Sequence, residues 1–343
     1  MKSYALRVEG AHALLESIEV PQPQPGPGQV LLRMHAAGLN RGEFIPGGLV
    51  KSGAAKPAGI EGAGEVVALG EGVANGVSGG VTGEVSGGVT GAAAGLQVGS
   101  RVMGRCTGAF SEFALMDARE ALPVPAGLSF EEAAAVPLTF LVVHDMLALQ
   151  GHLKAGQWLL VTGVSSGVGV AALQTAKALG ARVIGTSGSA EKLDKLKALG
   201  LDVGLHTRAP QFLDAVMQAT DGRGVNLVVN TVGGSVFAEC IRCMAFEGRL
   251  ATVGYVDNTL KAEIDIQALH VKRLTLFGVS NKQRSADQRA AGLPAFAKDL
   301  LPALADGRIK PLIDRVFPFA EATAAQAHMQ ANQHLGKIVL KII

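Results

Sequence analysis

The sequence predicts an α/β protein of two domains, one built on a doubly wound parallel sheet and the other rich in β-structure. Three observations carry that prediction. Strand-like and helix-like patterns alternate from Trp158 to Val279, the spacing of a parallel sheet with right-handed crossovers. Residues 1–125 instead show short apolar runs between Pro and Gly turns. At the start of the alternating part, the apolar run Trp158–Val161 breaks into a Gly/Ser turn, and a helical pattern follows from Val168 to Leu179. A buried strand, a glycine-rich turn and a helix N-terminus make a pyrophosphate site, because free N–H groups point at the anion and the helix dipole favours its charge.

The elements follow in chain order. Val30–Met34, Gly64–Leu69 and Arg101–Met103 read as strands, separated by turns such as Pro21–Gly28. Residues 77–84 recur almost unchanged as residues 85–92, which reads as a duplicated Gly/Ser-rich insertion in a surface loop. Ser129 is placed as an N-cap with Glu131 and Glu132 in the first turn, opening a helix through Ala133 to Ala148. The alternation then gives strand Trp158–Val161, helix 168–179, strand Arg182–Thr186, helix Ala190–Leu199, strand Val203–Leu205 and helix Gln211–Ala219. It continues with strand Val225–Val229, helix Val236–Phe246 and strands Arg249–Val253 and Leu274–Val279. A helix near Pro294–Ala305 and a strand Lys337–Ile343 close the chain, so the β-rich domain is expected as 1–126 plus 283–343, with 127–282 between.

Composition excludes several classes. The 343 residues suffice for two cores, and a net charge of +2 gives no field that would gather nucleic acid or a membrane surface. The longest apolar stretch, Ala133–Leu149, is interrupted by Pro137, His144 and Asp145 and is too short to span a bilayer. Met1–Glu9 lacks the pattern of a signal peptide, so a cytoplasmic protein is expected. Cys106, Cys240 and Cys243 are too few for a disulfide framework. Cys240 and Cys243 read as small core residues on a helix, and His144 as a satisfied helical histidine.

The Gly/Ser turn is not a strict G-x-G-x-x-G, since Val164 and Ser166 stand where the first two glycines belong and only Gly169 fits the third. Other motifs are more telling. Residues 25–30 (PGPGQV) and 36–41 (AAGLNR), Gly59-Ile60-Glu61-Gly62-Ala63-Gly64 with Gly70 and Val73, residues 135–139 (AVPLT), and Gly336-Lys337-Ile338-Val339-Leu340 occur together. With these the chain resembles the medium-chain dehydrogenase/reductase superfamily, and within it the zinc-independent quinone oxidoreductase (zeta-crystallin-like) branch. The resemblance implies a GroES-like catalytic domain and a Rossmann cofactor domain. It covers nearly the whole chain.

The alcohol-dehydrogenase branch holds a catalytic zinc with Cys, His and Cys. Here the corresponding positions are Asn40, Ile60 and Leu138 or Thr139, none a soft or imidazole ligand, so no metal is expected. Without a Lewis acid an alcohol is hard to activate, and an electrophile that accepts hydride directly is the easier substrate: a quinone, or an alkene conjugated to a carbonyl. No catalytic acid–base pair is assigned.

The branch usually reads G-A-S-G-G-V-G where this chain has Gly163-Val164-Ser165-Ser166-Gly167-Val168-Gly169, and the Ser166 hydroxyl could itself donate to a phosphate. NAD sites place an Asp or Glu at the end of the second strand; here Ser187-Gly188-Ser189 stands there. Lys192 and Arg208 would welcome a 2′-phosphate, or are solvated surface residues, and His206-Thr207 replaces the family's common Asn-Tyr. NADPH is therefore the expected cofactor. The resemblance also implies cofactor contacts from Val253, Gly254, Tyr255, Phe277, Gly278, Val279 and Lys337.

In the substrate pocket Val50 replaces a family tyrosine. Tyr255 lines the pocket or donates a proton on one reading, and is a partly exposed loop residue on another. Asn40 and Thr139 either hydrogen-bond substrate or cofactor, or tie loops together. The expectation is an NADPH-dependent, zinc-free reductase of quinones or α,β-unsaturated carbonyls, its proton coming from solvent or Tyr255. A 2-enoyl or acrylate-type reductase is the rival enzyme, and a low-turnover NADPH-binding structural or redox-sensing protein the rival class. The family's dimers pair through the strand corresponding to Leu274–Val279, which implies a homodimer.

Overall fold

In a computed structural model of the protein, residues 1–9, 12–45, 55–73 and 95–343 are described. Val50 and the duplicated segment 77–92 lie outside the described residues. The chain forms two compact units, one of residues 1–138, 282–307 and 313–343 and the other of residues 139–281 and 308–312.

In the first unit, β1 (Lys2–Glu9) and β2 (His12–Glu19) form an antiparallel hairpin, β3 (Gln29–Gly38) belongs to a second sheet, and β4 (Lys56–Pro57) pairs beside β1. β5 (Glu61–Leu69), β6 (Arg101–Arg105), β7 (Phe113–Asp117) and β8 (Leu122–Pro123) extend the second sheet, with β3 antiparallel to both β5 and β7. Then α1 (Phe130–Ala134) opens with a capping box: Ser129 Oγ accepts from Glu132 N at 3.1 Å, and Glu132 Oε2 accepts from Ser129 N at 2.9 Å. The single helix expected through Ala148 is broken. A second helix, α2, starts at Pro137 (Pro137–His144) and passes into one π-turn over Asp145–Leu149. Proline has no N–H to continue α1, and its ring pushes the preceding residue out of the helical region. Because α1 packs on β3 and β5, the first unit runs to Leu138, past the 126/127 boundary read from the sequence.

The second unit is a six-stranded parallel sheet. Its elements are β9 (Trp158–Thr162), α3 (Gly167–Ala178), β10 (Arg182–Ser187), α4 (Ala190–Lys197), β11 (Val203–His206) and α5 (Leu213–Ala219), then β12 (Val225–Asn230), α6 (Phe237–Cys243), β13 (Met244–Thr252), α7 (Ile266–Val271) and β14 (Thr275–Gly278). The order β11-β10-β9-β12-β13-β14 is that of a doubly wound fold. The helix expected to reach Phe246 stops at Cys243, because Met244 already pairs with Val225 in the sheet and its backbone is extended. Cys240, Ile241 and Cys243 on α6 pack with Leu160, Ile184, Val228 and Leu250 of the strands. Burial pushes the Cys243 thiol up to about 12, so these cysteines serve as apolar core.

The first unit is completed by α8 (Ala286–Ala290), α9 (Leu293–Ala305), β15 (Ile313–Pro318), α10 (Ala322–Gln330) and β16 (Lys337–Lys341). β16 lies between β15 and β3, antiparallel to β3 with Val339 opposite Gly38. Leu32, Met34, Val66, Phe110, Ile338 and Leu340 belong to its core. Among the described residues, no helix is long and apolar enough to cross a membrane.

Candidate functional site

The glycine-rich turn follows β9 at the carboxyl edge of the parallel sheet. Gly163 takes a left-handed φ of 67°, and its N–H donates to Thr186 Oγ1 at 3.2 Å. Val164 N donates to the Thr186 carbonyl at 2.9 Å, tying the turn to β10. Ser166 caps α3, its Oγ accepting from Gly169 N at 3.1 Å, which still leaves its own O–H hydrogen to donate. The first-turn N–H groups of Gly167 and Val168 have, as in any helix, no intrahelical partner. A Cβ on Gly169 would stand 2.5 Å from the Gly163 carbonyl oxygen and 2.6 Å from Val164 Cα, so only glycine lets α3 approach the turn this closely. Gly169→Ala should cost about 1–3 kcal/mol, read as a lowered denaturant midpoint of Trp158 fluorescence, because the obstructing atoms are backbone.

The strand register brings most of the sequence-selected residues to this one edge. Asn230 lies opposite both Thr162 and Thr252, and Thr252 opposite Gly278. Val253, Gly254 and Tyr255 therefore leave β13 at the same edge as the glycine turn, with β12 between, and Phe277, Gly278 and Val279 stand at the end of β14. The floor is a closed polar network. Asn230 Oδ1 accepts from Thr162 Oγ1 at 3.0 Å, Val232 N at 3.0 Å and Gly233 N at 3.1 Å, while Thr231 Oγ1 donates to the Thr162 carbonyl at 2.7 Å. On the β10 side, Ser165 Oγ and Ser187 Oγ share a hydrogen bond of 3.1 Å, and Gly188, Lys192 and Arg208 surround the same strand end. Tyr255 is half exposed on its loop, and Thr139 is buried in the first turn of α2.

Asn40 and Lys337 sit in the first unit, in a buried cluster with two carboxyl groups that the sequence reading did not single out. Glu61, fully buried, accepts at Oε1 from Asn40 Nδ2 at 2.8 Å and from Lys337 Nζ at 2.5 Å, and at Oε2 from Leu138 N at 2.7 Å. Lys337 Nζ also donates to Asn40 Oδ1 at 2.9 Å and to the Leu39 carbonyl at 3.1 Å. Asn40 Nδ2 donates a second hydrogen bond, to Glu43 Oε1 at 3.1 Å. Both amide hydrogens of Asn40 and all three ammonium hydrogens of Lys337 are thus engaged inside this unit. Burial pushes the Glu43 carboxyl up to about 8 against the hydrogen bond from Asn40, and the neighbouring Glu61 adds to the rise. The signal for this cluster lay in the Gly59–Gly64 motif, where Glu61 directly follows Ile60.

The zinc positions of the resembled family are occupied by Asn40, Ile60 and Leu138 or Thr139, and the Asn40 amide is already spent on Glu43, Glu61 and Lys337. Cys106 is buried, its thiol pushed up to about 12, chiefly by desolvation. Among the described residues, no group of three or more His, Cys, Asp or Glu is arranged to hold a metal. This donor set does not fit a catalytic zinc.

Comparison with known proteins places these features among relatives. Residues 26–126 match the alcohol dehydrogenase GroES-like domain, and residues 167–295 match the zinc-binding dehydrogenase family. A zinc-type alcohol dehydrogenase-like protein of Schizosaccharomyces pombe is 30% identical over 336 residues, covering 95% of this chain and 94% of that protein. A phenolphthiocerol/phthiocerol polyketide synthase subunit of Mycobacterium tuberculosis is 30% identical over 330 residues, and there the chain spans only 14% of the relative. Among solved structures, a mycobacterial protein complexed with NADPH superposes with a TM-score of 0.83 at 27% identity, covering all of both chains. A quinone oxidoreductase from Thermus thermophilus, also solved with NADPH, has a TM-score of 0.78 at 27% identity over the full length of both. The CurK enoyl reductase has a TM-score of 0.79 at 25% identity over 99% of each chain.

Proposed function

This chain belongs to the medium-chain dehydrogenase/reductase superfamily, and on that footing we propose that it is an NADPH-dependent, zinc-independent reductase of quinones or α,β-unsaturated carbonyls. The observation that carries the cofactor choice is the end of β10. Ser187-Gly188-Ser189 offers no carboxylate to a ribose 2′-hydroxyl, and Arg208 brings a guanidinium there. Bound NADPH supplies the hydride, two electrons in one step. The protein holds the pyrophosphate at the Gly163–Gly169 turn, with the N–H groups of Gly167 and Val168 and the Ser166 hydroxyl as donors. The relatives solved with NADPH support this assignment.

The substrate class rests on the absent ligand chemistry at Asn40, Ile60 and Leu138 or Thr139. An acceptor that takes hydride directly needs no metal-bound oxygen, only orientation and a proton. That proton comes from solvent or from the exposed phenol of Tyr255. Reduction of an enoyl group is the second reading, favoured by the likeness to CurK. Fluorescence titration with NADPH, followed by turnover on a panel of quinones, enones and enoyl thioesters, tests both. Oxidation of NADPH by a quinone supports the first reading and by enoyl thioesters alone the second. Tight binding without turnover identifies a cofactor-binding protein instead. Stoichiometric zinc in the active protein, measured by mass spectrometry, would overturn the metal-free assignment.

We assign a homodimer in the cytoplasm, paired through β14, whose only sheet neighbour among the described strands is β13. Light scattering should then give twice the chain's 35.2 kDa.

A further inference from the structure

Resting on the NADPH reading, we propose that Gly188 sets the preference for NADPH over NADH, by leaving the space in which the Arg208 side chain crosses the carboxyl end of β10. A Cβ on Gly188 would collide with Arg208 Nε and stand 2.8 Å from its Cγ and 2.9 Å from its Cδ. Gly188 does not have positive φ, so the position needs room and not a glycine-only backbone. The stem of Arg208 fills that room.

The local backbone holds Arg208 in reach of this space. Ser187 lies opposite His206 in the β10–β11 register, Thr207 N donates to the Ser187 carbonyl at 3.0 Å, and His206 Nε2 lies 3.3 Å from the Gly188 carbonyl. Thr207 Oγ1 accepts from Ala209 N at 3.0 Å and donates to the Ala209 carbonyl at 3.1 Å, closing a turn around Arg208. Two further positive contributions converge there. Ser189 caps α4, accepting from Lys192 N at 3.3 Å, so the positive end of the helix dipole and Lys192 lie one turn away. The nearest acid on that helix, Glu191, is paired with Lys195 at 2.7 Å. In doubly wound folds the adenosine ribose lies at this strand end, so a 2′-phosphate meets the Arg208 guanidinium, while the 2′-hydroxyl of NADH has no carboxylate to bind.

Gly188 acts through Arg208 and is a positioning residue. The collision a new Cβ creates is with a flexible, exposed side chain, so Gly188→Ala displaces Arg208 without disturbing the strand. Titration of the full chain with NADPH and NADH should show Gly188→Ala weakening NADPH by roughly tenfold and NADH by less than about twofold, with an unchanged thermal midpoint. Arg208→Gln, which leaves Gly188 intact, should give the same selective loss, and the double variant no more than Arg208→Gln alone. Losses that add in the double variant, or unaltered selectivity in Gly188→Ala, would overturn the role of Gly188 while the NADPH reading stands. A wild-type protein that binds NADPH no better than NADH would overturn that reading and this proposal together.

Discussion

Replacing Glu61 with Gln should destabilise the first unit by about 3–5 kcal/mol, the cost of stranding one member of a buried ion pair. The carboxylate holds the Lys337 ammonium at 2.5 Å, the Asn40 amide at 2.8 Å and the Leu138 N–H at 2.7 Å, three donors from distant parts of the sequence. A glutamine can point its carbonyl at Lys337 and Asn40 or at Leu138, and its own N–H₂ then faces the remaining donor. Lys337→Met should cost as much, because it leaves Glu61 charged and fully buried. Replacing both by apolar residues should recover much of the loss, since neither charge then remains to be desolvated. Trp158 is the only tryptophan and belongs to the second unit, so its fluorescence serves as an internal control. Amide exchange in β3 and β5 should accelerate at least about a hundredfold in Glu61→Gln while that control holds. Exchange unchanged in both strands would show that the pair contributes nothing net.

A second large effect is expected at Glu43, with a definite direction in pH. Its carboxyl is raised from an ordinary value of 4.5 to about 8 by burial. Below the lower value both folded and unfolded chains carry the proton. Between the two, the unfolded chain releases it and the folded chain keeps it, so the folded state loses about 1.4 kcal/mol for each pH unit gained. Stability owed to this group is therefore greatest in acid and falls as pH rises, levelling off above about pH 8. By pH 7 the loss amounts to roughly 3 kcal/mol. Glu43→Gln keeps an oxygen for Asn40 Nδ2 and removes the proton linkage. The variant should match the wild type near pH 4.5 and exceed it progressively toward pH 8, read from urea midpoints at several pH values. Parallel curves for the two proteins would refute the raised carboxyl.

Periodicity resolved most of the second unit because its central strands are short apolar runs bounded by turns and helices such as α3 and α6 carry a buried stripe; α7, which buries none of its residues, gave no such signal. The parallel sheet and the glycine turn follow from that pattern, whereas the spatial order of the strands comes from the structure. Local competition was harder to read. Apolar spacing through Ala133–Ala148 is compatible with one helix, and the structure breaks it at Pro137; the same spacing continues past Cys243, where sheet pairing of Met244 takes over. In the first unit β1 and β2 escaped notice, as did α10, an Ala-rich helix with a weak apolar stripe. The buried cluster was legible only as fragments. Asn40, Glu61 and Lys337 each stand in a recognisable motif, yet nothing in one dimension says that a lysine near residue 340 neutralises a glutamate near residue 60. Glu43 carried no signal at all, since an exposed glutamate and a buried one look alike in a sequence.

The placement of β16 has a consequence for how the molecule is made. Lys337 reaches the Leu39 carbonyl across a separation of 298 residues, and its strand closes a sheet begun by β3. On the ribosome, β3 and β5 emerge early and wait through the synthesis of every strand of the parallel sheet. During that interval the end of β3 over Ala36–Gly38, beyond the stretch that β7 covers, has an unpaired edge, and Glu61 has no counter-ion. The strands of the second unit are complete by Gly278, so that sheet can form first, while the sheet of the first unit closes only once β16 has been made.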